Sequence, residues 1–522
     1  MSDQQPPAPG PGEPEYLGSP GDAPRTGPRW GLVGGAAVAV VATVAAGGWG
    51  LAQLMAAPGS PADAVPASAL AYLSLDLDPS ASQKIAAIRT LQKFPALEEE
   101  LDLDARDDVR RWAFEAVLAD SDCEDVTYAD DVEPWLGNRM AVAAVPDQGA
   151  TVSPLFLVQV DDQDAATAGL TALADCADEK LGVAFVDDYA LLMEKQADAD
   201  SYAAAAEASP LAEDADFGTW TDRAGDPGVV NAYVAADAPA RMADLAPGED
   251  ALGEGATELY RNFEGAAGVI RFQDGRIEAE VVTKGMPAGV APVGEPGAPS
   301  LAELPGSTAA AFTMSFRDGW LEDWVGSLGE LFGGAAVGGT DPDLWQDLEA
   351  QTGLQLPEDL EALLGDGLRV SVDGSVDVAD LDGGDVPRAP VGVRINGDET
   401  EIVRVLDRLR ALVPEGSDDV LLQRAGDGFV VLGLDPAYVD RLTTDGGLGD
   451  DETFAGVVPE ADRVSGGVYV NFDAEDWATR LAEQLGDDPE VVANVAPLDA
   501  LGLSSWLDDE DVQHGLFRLS TD

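Results

Sequence analysis

The chain has 522 residues, room for roughly two to four domains, and carries 98 acidic against 29 basic side chains, a net charge of −69. No basic patch is available to neutralise phosphate, which excludes a nucleic-acid binder, and the same charge repels anionic lipid headgroups. Two cysteines and one histidine exclude a zinc site of the usual Cys/His type.

Residues 1–29 are rich in Pro and Gly, have almost no apolar content, and read as a disordered tail. Residues 30–55 are apolar. No charged side chain occurs between Arg29 and Asp63, and about 20 apolar residues suffice to cross the hydrocarbon of a bilayer. Trp30 and Trp49 lie towards its two ends, where indole rings favour the interface. Arg25 and Arg29 precede the run and the next basic residue is Lys84, so the tail is expected in the cytoplasm and the remainder outside. A cleaved signal peptide would show an apolar region of roughly 7–15 residues and an A-x-A-like site. This run is longer and LMAAPGS matches poorly, so an uncleaved signal anchor of a single-pass cell-membrane protein is expected. Residues 56–66 follow as a short Pro-containing linker.

From residue 67 the sequence becomes globular and resembles itself. PLAEDADF at Pro210 matches GLGDDETF at Gly447, pairing Leu211 with Leu448, Asp214 with Asp451 and Phe217 with Phe454 at one constant offset. Further pairs fall in the same order. ALAYLSLDLD from Ala69 matches TAAAFTMSFR from Thr308, DVEPWLGNRMAVAAV from Asp131 matches DLEALLGDGLRVSV from Asp359, and GVVNAYVAAD from Gly228 matches GGVYVNFDAE from Gly466. Collinear matches of this kind read as a tandem duplication. The expected units are 67–286 and 306–522, joined by a Pro/Gly-rich linker over 287–305.

Within each unit, AYLSLDL and AFTMSF have the period-2 pattern of half-buried strands, while ETEIVRVLDRLRALV has the 3.6 spacing of a helix with Asp398 placed to cap it. Phe272-Gln-Asp-Gly-Arg276 reads as a hairpin turn. The expected fold class is α+β: after the transmembrane helix, two repeats of mostly antiparallel sheet with helices on one face. A cleft where the halves meet is the default place for a ligand.

The Pro-rich tail, the single anchor, the strand ending Ser-Leu-Asp and the stretch Glu133-Pro-Trp-Leu-Gly137 together resemble a family of actinobacterial exported proteins. That family is known as domain of unknown function 3352. The resemblance covers most of the chain from Pro66 onward; the second half departs from it, with Glu361-Ala-Leu-Leu-Gly365 in place of the Pro-Trp motif. It implies membrane attachment and supplies no activity or catalytic residue.

Chemistry is sparse. Leu211, Asp214, Phe217 and their counterparts Leu448, Asp451 and Phe454 read as a capped helix start with apolar anchors, in preference to a calcium turn built on Gly446-Gly447. Glu100–Ala105 and Asp380–Asp385 fail the glycine spacing of an EF-hand loop. His514 lacks the companions of a nucleophile relay. Cys123 and Cys176 are candidates for a disulfide, and unpaired thiols are the other reading. No metal or cofactor is expected. The functional expectation is a non-enzymatic binding or interaction module of the cell envelope, its partner unknown. A hydrolase using paired carboxylates and an acidic cation-binding module are the alternatives.

Overall fold

A computed structural model describes residues 60–76, 126–147, 152–177, 180–243, 261–286 without 274, 300–321, 349–376, 388–412, 421–485 without 445, and 489–522, with scattered positions between 83 and 111 and at 294. The anchor segment 30–55 lies outside the described residues. Among the described residues no helix is long and apolar enough to cross a membrane.

The strands form one antiparallel sheet of 16. The first eight are β1 (Ala71–Asp76), β2 (Leu136–Pro146), β3 (Val152–Val160), β4 (Gly182–Val186), β5 (Tyr189–Met193), β6 (Val230–Val234), β7 (Gly265–Gln273) and β8 (Arg276–Lys284). The second eight are β9 (Thr308–Ser315), β10 (Gly367–Asp373), β11 (Val391–Asn396), β12 (Leu422–Gly426), β13 (Phe429–Gly433), β14 (Gly466–Asn471), β15 (Leu498–Leu507) and β16 (Gln513–Thr521). Outward from the middle, the first eight run β8-β7-β6-β1-β2-β3-β5-β4 and the second eight run β16-β15-β14-β9-β10-β11-β13-β12. The two orders are the same. They meet where β8 pairs with β16, with Glu278 opposite Arg518 and Glu280 opposite Leu516. The halves therefore share a continuous sheet and are not separate sheets facing a cleft.

Helices cover both faces, not one. In β3, Leu155 and Leu157 join the core that holds the helices Gln196–Ala208 and Ala215–Arg223. Their neighbours Phe156 and Val158 point the other way and pack with the helix Gln163–Ala177. The second half repeats this division. Val431 and Tyr469 lie with the helices Pro436–Leu442 and Glu452–Val457, and Ile395 and Val430 lie with the helix Glu399–Arg410. That last helix follows its sequence closely. Asp398 accepts from the amides of Thr400 and Glu401, acids fill the first turn and Arg408 and Arg410 the last, and Ile402, Val405 and Leu406 form the buried stripe.

The described ends of the two stretches read as linkers, 60–66 and 300–305, pack into the core. Ser60 caps a short 3₁₀ turn that buries Ala62 and Ala64, and Ser300 caps another that buries Leu301, with Leu304 buried just after it. The β7–β8 hairpin turns through Gly275, which takes φ 78°, open to glycine at no steric cost.

A candidate binding face on the sheet

The motif shared by the halves is a structural fastening. Leu211 and Leu448 each open a 3₁₀ turn and are fully buried. Asp214 then caps the helix Ala215–Arg223 through the amides of Asp216 and Phe217, and Asp451 caps Glu452–Val457 through the amide of Phe454. Phe217 meets Tyr233 edge-on at 5.2 Å, and Phe454 meets Tyr469 edge-on at 5.1 Å. Gly446 has a steric duty: a Cβ there would lie 1.9 Å from the carbonyl oxygen of Leu304, so this glycine serves close backbone approach.

At the centre of the sheet charged side chains are buried among apolar ones on one face. On the face that carries Tyr72 and Tyr469, β7, β8 and β16 bury Ala267, Val269, Val282 and Leu516, and beside them a cluster of charged side chains. Arg271 and Glu278 are 8% and 5% exposed. Arg271 donates to both Glu278 and Glu280 and, at 2.8 Å, to the carbonyl of Asp226. Arg518 donates to the other oxygen of Glu278 and to the carbonyl of Gly456, which also accepts from Arg276. Burial pushes the carboxyl of Glu280 above its ordinary value, against the pull of Arg271.

On the opposite face of the same sheet, Ala266, Val234, Ala71 and Ala144 are buried in a core with Ala238 and Phe263, and the rows next to that core are apolar and partly exposed. Reading straight across the register, Leu75 faces Val230, Val230 faces Ile270, Ile270 faces Ala279, and Ala279 faces Phe517. The row continues through Leu503 and Val468 to Phe312. Ile270 is 37% exposed, Leu503 41% and Phe312 36%. A second row beside it runs Phe272, Ile277, Leu519, Leu501 and Val470. The first row ends at Met140, which faces Val158 under the helix Gln163–Ala177, and at Val370, which faces Val393 under the helix Glu399–Arg410. The result is an apolar floor ten strands wide between two helical walls. Nine strand spacings of about 4.8 Å make it roughly 43 Å across. Its main-chain groups are spent in the ladder, so it offers side-chain hydrocarbon and almost no hydrogen-bonding capacity.

The other predicted positions sort as follows. Cys176, at the end of the helix Gln163–Ala177, is disulfide-bonded; Cys123 lies outside the described residues, as do Glu100–Ala105 and Asp380–Asp385. His514 stacks on Trp506 with ring centroids 5.0 Å apart, and its Nε2 lies 3.3 Å from Asp508 Oδ2. Burial pushes this imidazole below its ordinary value, opposed by Asp508. Trp135 and Trp477 spend their indole N–H groups on the carbonyls of Asp131 and Asn471.

Buried carboxylates are held by cations or hydroxyls. Arg404 and Arg408 hold Asp359, and Arg441, Ser307 and Ser375 hold Asp373. Glu278 and Glu280 share Arg271. Among the described residues, Asp473, Asp499 and Asp522 bring carboxylate oxygens within 4.8 Å of one another. Burial and the charges of Asp522 and Asp499 raise the carboxyl of Asp473, and Lys93 sits against the main chain of Asp522. The apolar floor was missed in the sequence because no single strand contains it. It exists only once the register lines up one residue from each of ten strands.

Residues 32–181 match a family described as "Protein of unknown function (DUF3352)". The matched stretch runs from the apolar N-terminal segment through β1, β2, β3 and the helix Gln163–Ala177. No curated protein matches the chain.

Proposed function

We propose that this chain is a single-pass membrane protein whose folded body lies outside the cell membrane and acts by binding, without catalysis. The observation that carries the binding role is the apolar row across the middle of the sheet, in which Ile270, Leu503 and Phe312 stand exposed. A contiguous exposed apolar surface of this breadth marks an interaction site in a folded protein. The uncharged run from Gly31 to Leu54, with its basic residues on one side only, supports the anchor and its orientation. The identical strand order of the two halves, together with the sequence matches, supports a tandem duplication. The bonded state of Cys176 supports a Cys123–Cys176 disulfide, which suits an oxidising compartment.

Topology is tested with the full chain carrying a tag at its N-terminus. The chain is expected to stay with membranes through alkaline extraction. Protease added to wall-stripped cells is expected to remove everything beyond residue 60 and leave the tag. A body cleaved only after the membrane is lysed would overturn the orientation.

A further inference from the structure

We infer that the free edge of the sheet at β12 takes up an extended, basic polypeptide segment as one more strand. This site is separate from the apolar row and does not depend on the membrane anchor. The sheet ends at β4 on one side and at β12 on the other. Both end strands belong to hairpins with a two-residue turn, Asp187-Asp188 and Asp427-Gly428. The antiparallel ladder then turns the main-chain groups of Val183 and Phe185, and of Gln423 and Ala425, away from the sheet. The two edges are finished differently. On β4, Gln196 mimics a neighbouring strand: its Oε1 accepts from the Val183 amide at 3.0 Å and its Nε2 donates to the Val183 carbonyl at 2.7 Å. Counted from the hairpin turn, Gln423 stands where Val183 stands, and Pro436 stands where Gln196 does. Proline has no side-chain amide to offer, and here it opens the helix Pro436–Leu442. Among the described residues nothing accepts from the Gln423 amide or bonds to the main chain of Ala425. The Gln423 carbonyl accepts from Arg424 at 3.1 Å, an exposed side chain that an incoming amide can displace.

Donors and acceptors that repeat along an extended backbone are matched by another extended backbone, whereas a helix spends its own groups internally. Charge selects the kind of chain. The net charge of −69 repels a second copy and attracts a basic segment. Beside the edge, the exposed carboxylate of Asp440 holds Arg424 at 3.2 Å and can take an incoming lysine in its place.

The probe is a fluorescein-labelled heptapeptide of alternating lysine and valine. It is added to the full chain in a neutral detergent at physiological salt and read by anisotropy. One peptide should bind per chain. The same peptide N-methylated at every residue keeps its charge but cannot join a ladder, and should bind about ten-fold more weakly. Glutamate in place of lysine should weaken it to a similar degree. Gln423→Pro removes the outward amide, a change that edge strands accept, and should also cost about ten-fold with an unchanged circular dichroism spectrum. Gln196→Ala unguards β4 and should raise the ratio to two peptides per chain. Should Gln423→Pro fail to fold, that ratio decides: two supports the open edge as the binding feature, and one overturns it. No binding of the lysine peptide, or equal binding of the N-methylated or glutamate peptide, would overturn the inference. Equal binding of the lysine peptide by a folded Gln423→Pro would do the same. A dimer of the parent chain that Gln423→Pro dissolves would make a second copy the occupant and overturn the basic-segment assignment.

Discussion

Asp214 and Asp451 show how little sequence is needed to fix a local structure. Each is an acid three residues before a buried Phe, and each hands its carboxylate to the first amides of a short helix. Replacing either by Ala should lower stability by about 1 kcal/mol, and replacing both by about 2, because the sites are distant and share no partner. Urea midpoints at constant slope read this directly. His514 offers a different test, since it is the only histidine of the chain. Burial depresses its folded-state pKa below the ordinary value of about 6.5. The unfolded chain therefore binds the proton first, and the stability from the neutral, stacked imidazole is lost as pH falls below about 6.5. Its single imidazole proton resonance should titrate below the free value, and His514→Phe should flatten the stability profile between neutral pH and about 5. A resonance titrating at or above 6.5 would contradict the buried stack with Trp506. Asp359 runs the opposite way. Burial raises its carboxyl, but the Gln355 amide, Arg404 and Arg408 together outweigh that and hold it below the ordinary range. Its contribution is present above about pH 4 and disappears in stronger acid.

At the level of single elements, alternation in the sequence shows that a strand has two unlike faces. It does not say which of them is covered. ETEIVRVLDRLR is legible because its apolar stripe meets Ile395 and Val430 on strands supplied nearby in the chain. SPLFLVQV carries the signal for helices on both faces, since its apolar residues occupy both sides, as in strands buried front and back. The strand RIEAEVVTK alternates just as clearly, yet Glu278 is buried while Ile277 and Ala279 are half-open. No pattern within β8 could reveal this, because the partners of Glu278 are Arg271 on one neighbour and Arg518 on a strand 240 positions away. Arg271→Met should therefore be severe: it takes the bonded cation from Glu280, leaves Glu278 to Arg518 alone, and should cost about 3–5 kcal/mol in urea denaturation. On the other side of the sheet, Ile270→Thr keeps β-branching and Leu503→Thr introduces it, and each should change stability by under about 0.5 kcal/mol. Losses near those of a core deletion would mean that the face is packed inside the native protein.

For the molecule as a whole, the two eightfold runs are joined by one strand pair, so everything beyond the seam depends on β8 recognising β16. The Cys176 bond can be examined at the same scale. Under denaturing conditions the unreduced chain should take up no thiol reagent, and two equivalents should react after reduction; reaction without reduction would refute a Cys123–Cys176 bridge. The seam also carries a lesson in self-avoidance. In its present register Glu280 sits against Leu516 and Glu278 against Arg518. Were β8 to meet another β8 about the same centre, Glu280 would confront its own copy and Glu278 would meet Val282, leaving acids opposed and unneutralised. The mismatch makes each strand a poor partner for itself and a good one for its counterpart, so the molecule closes on its own second half and turns away its neighbours.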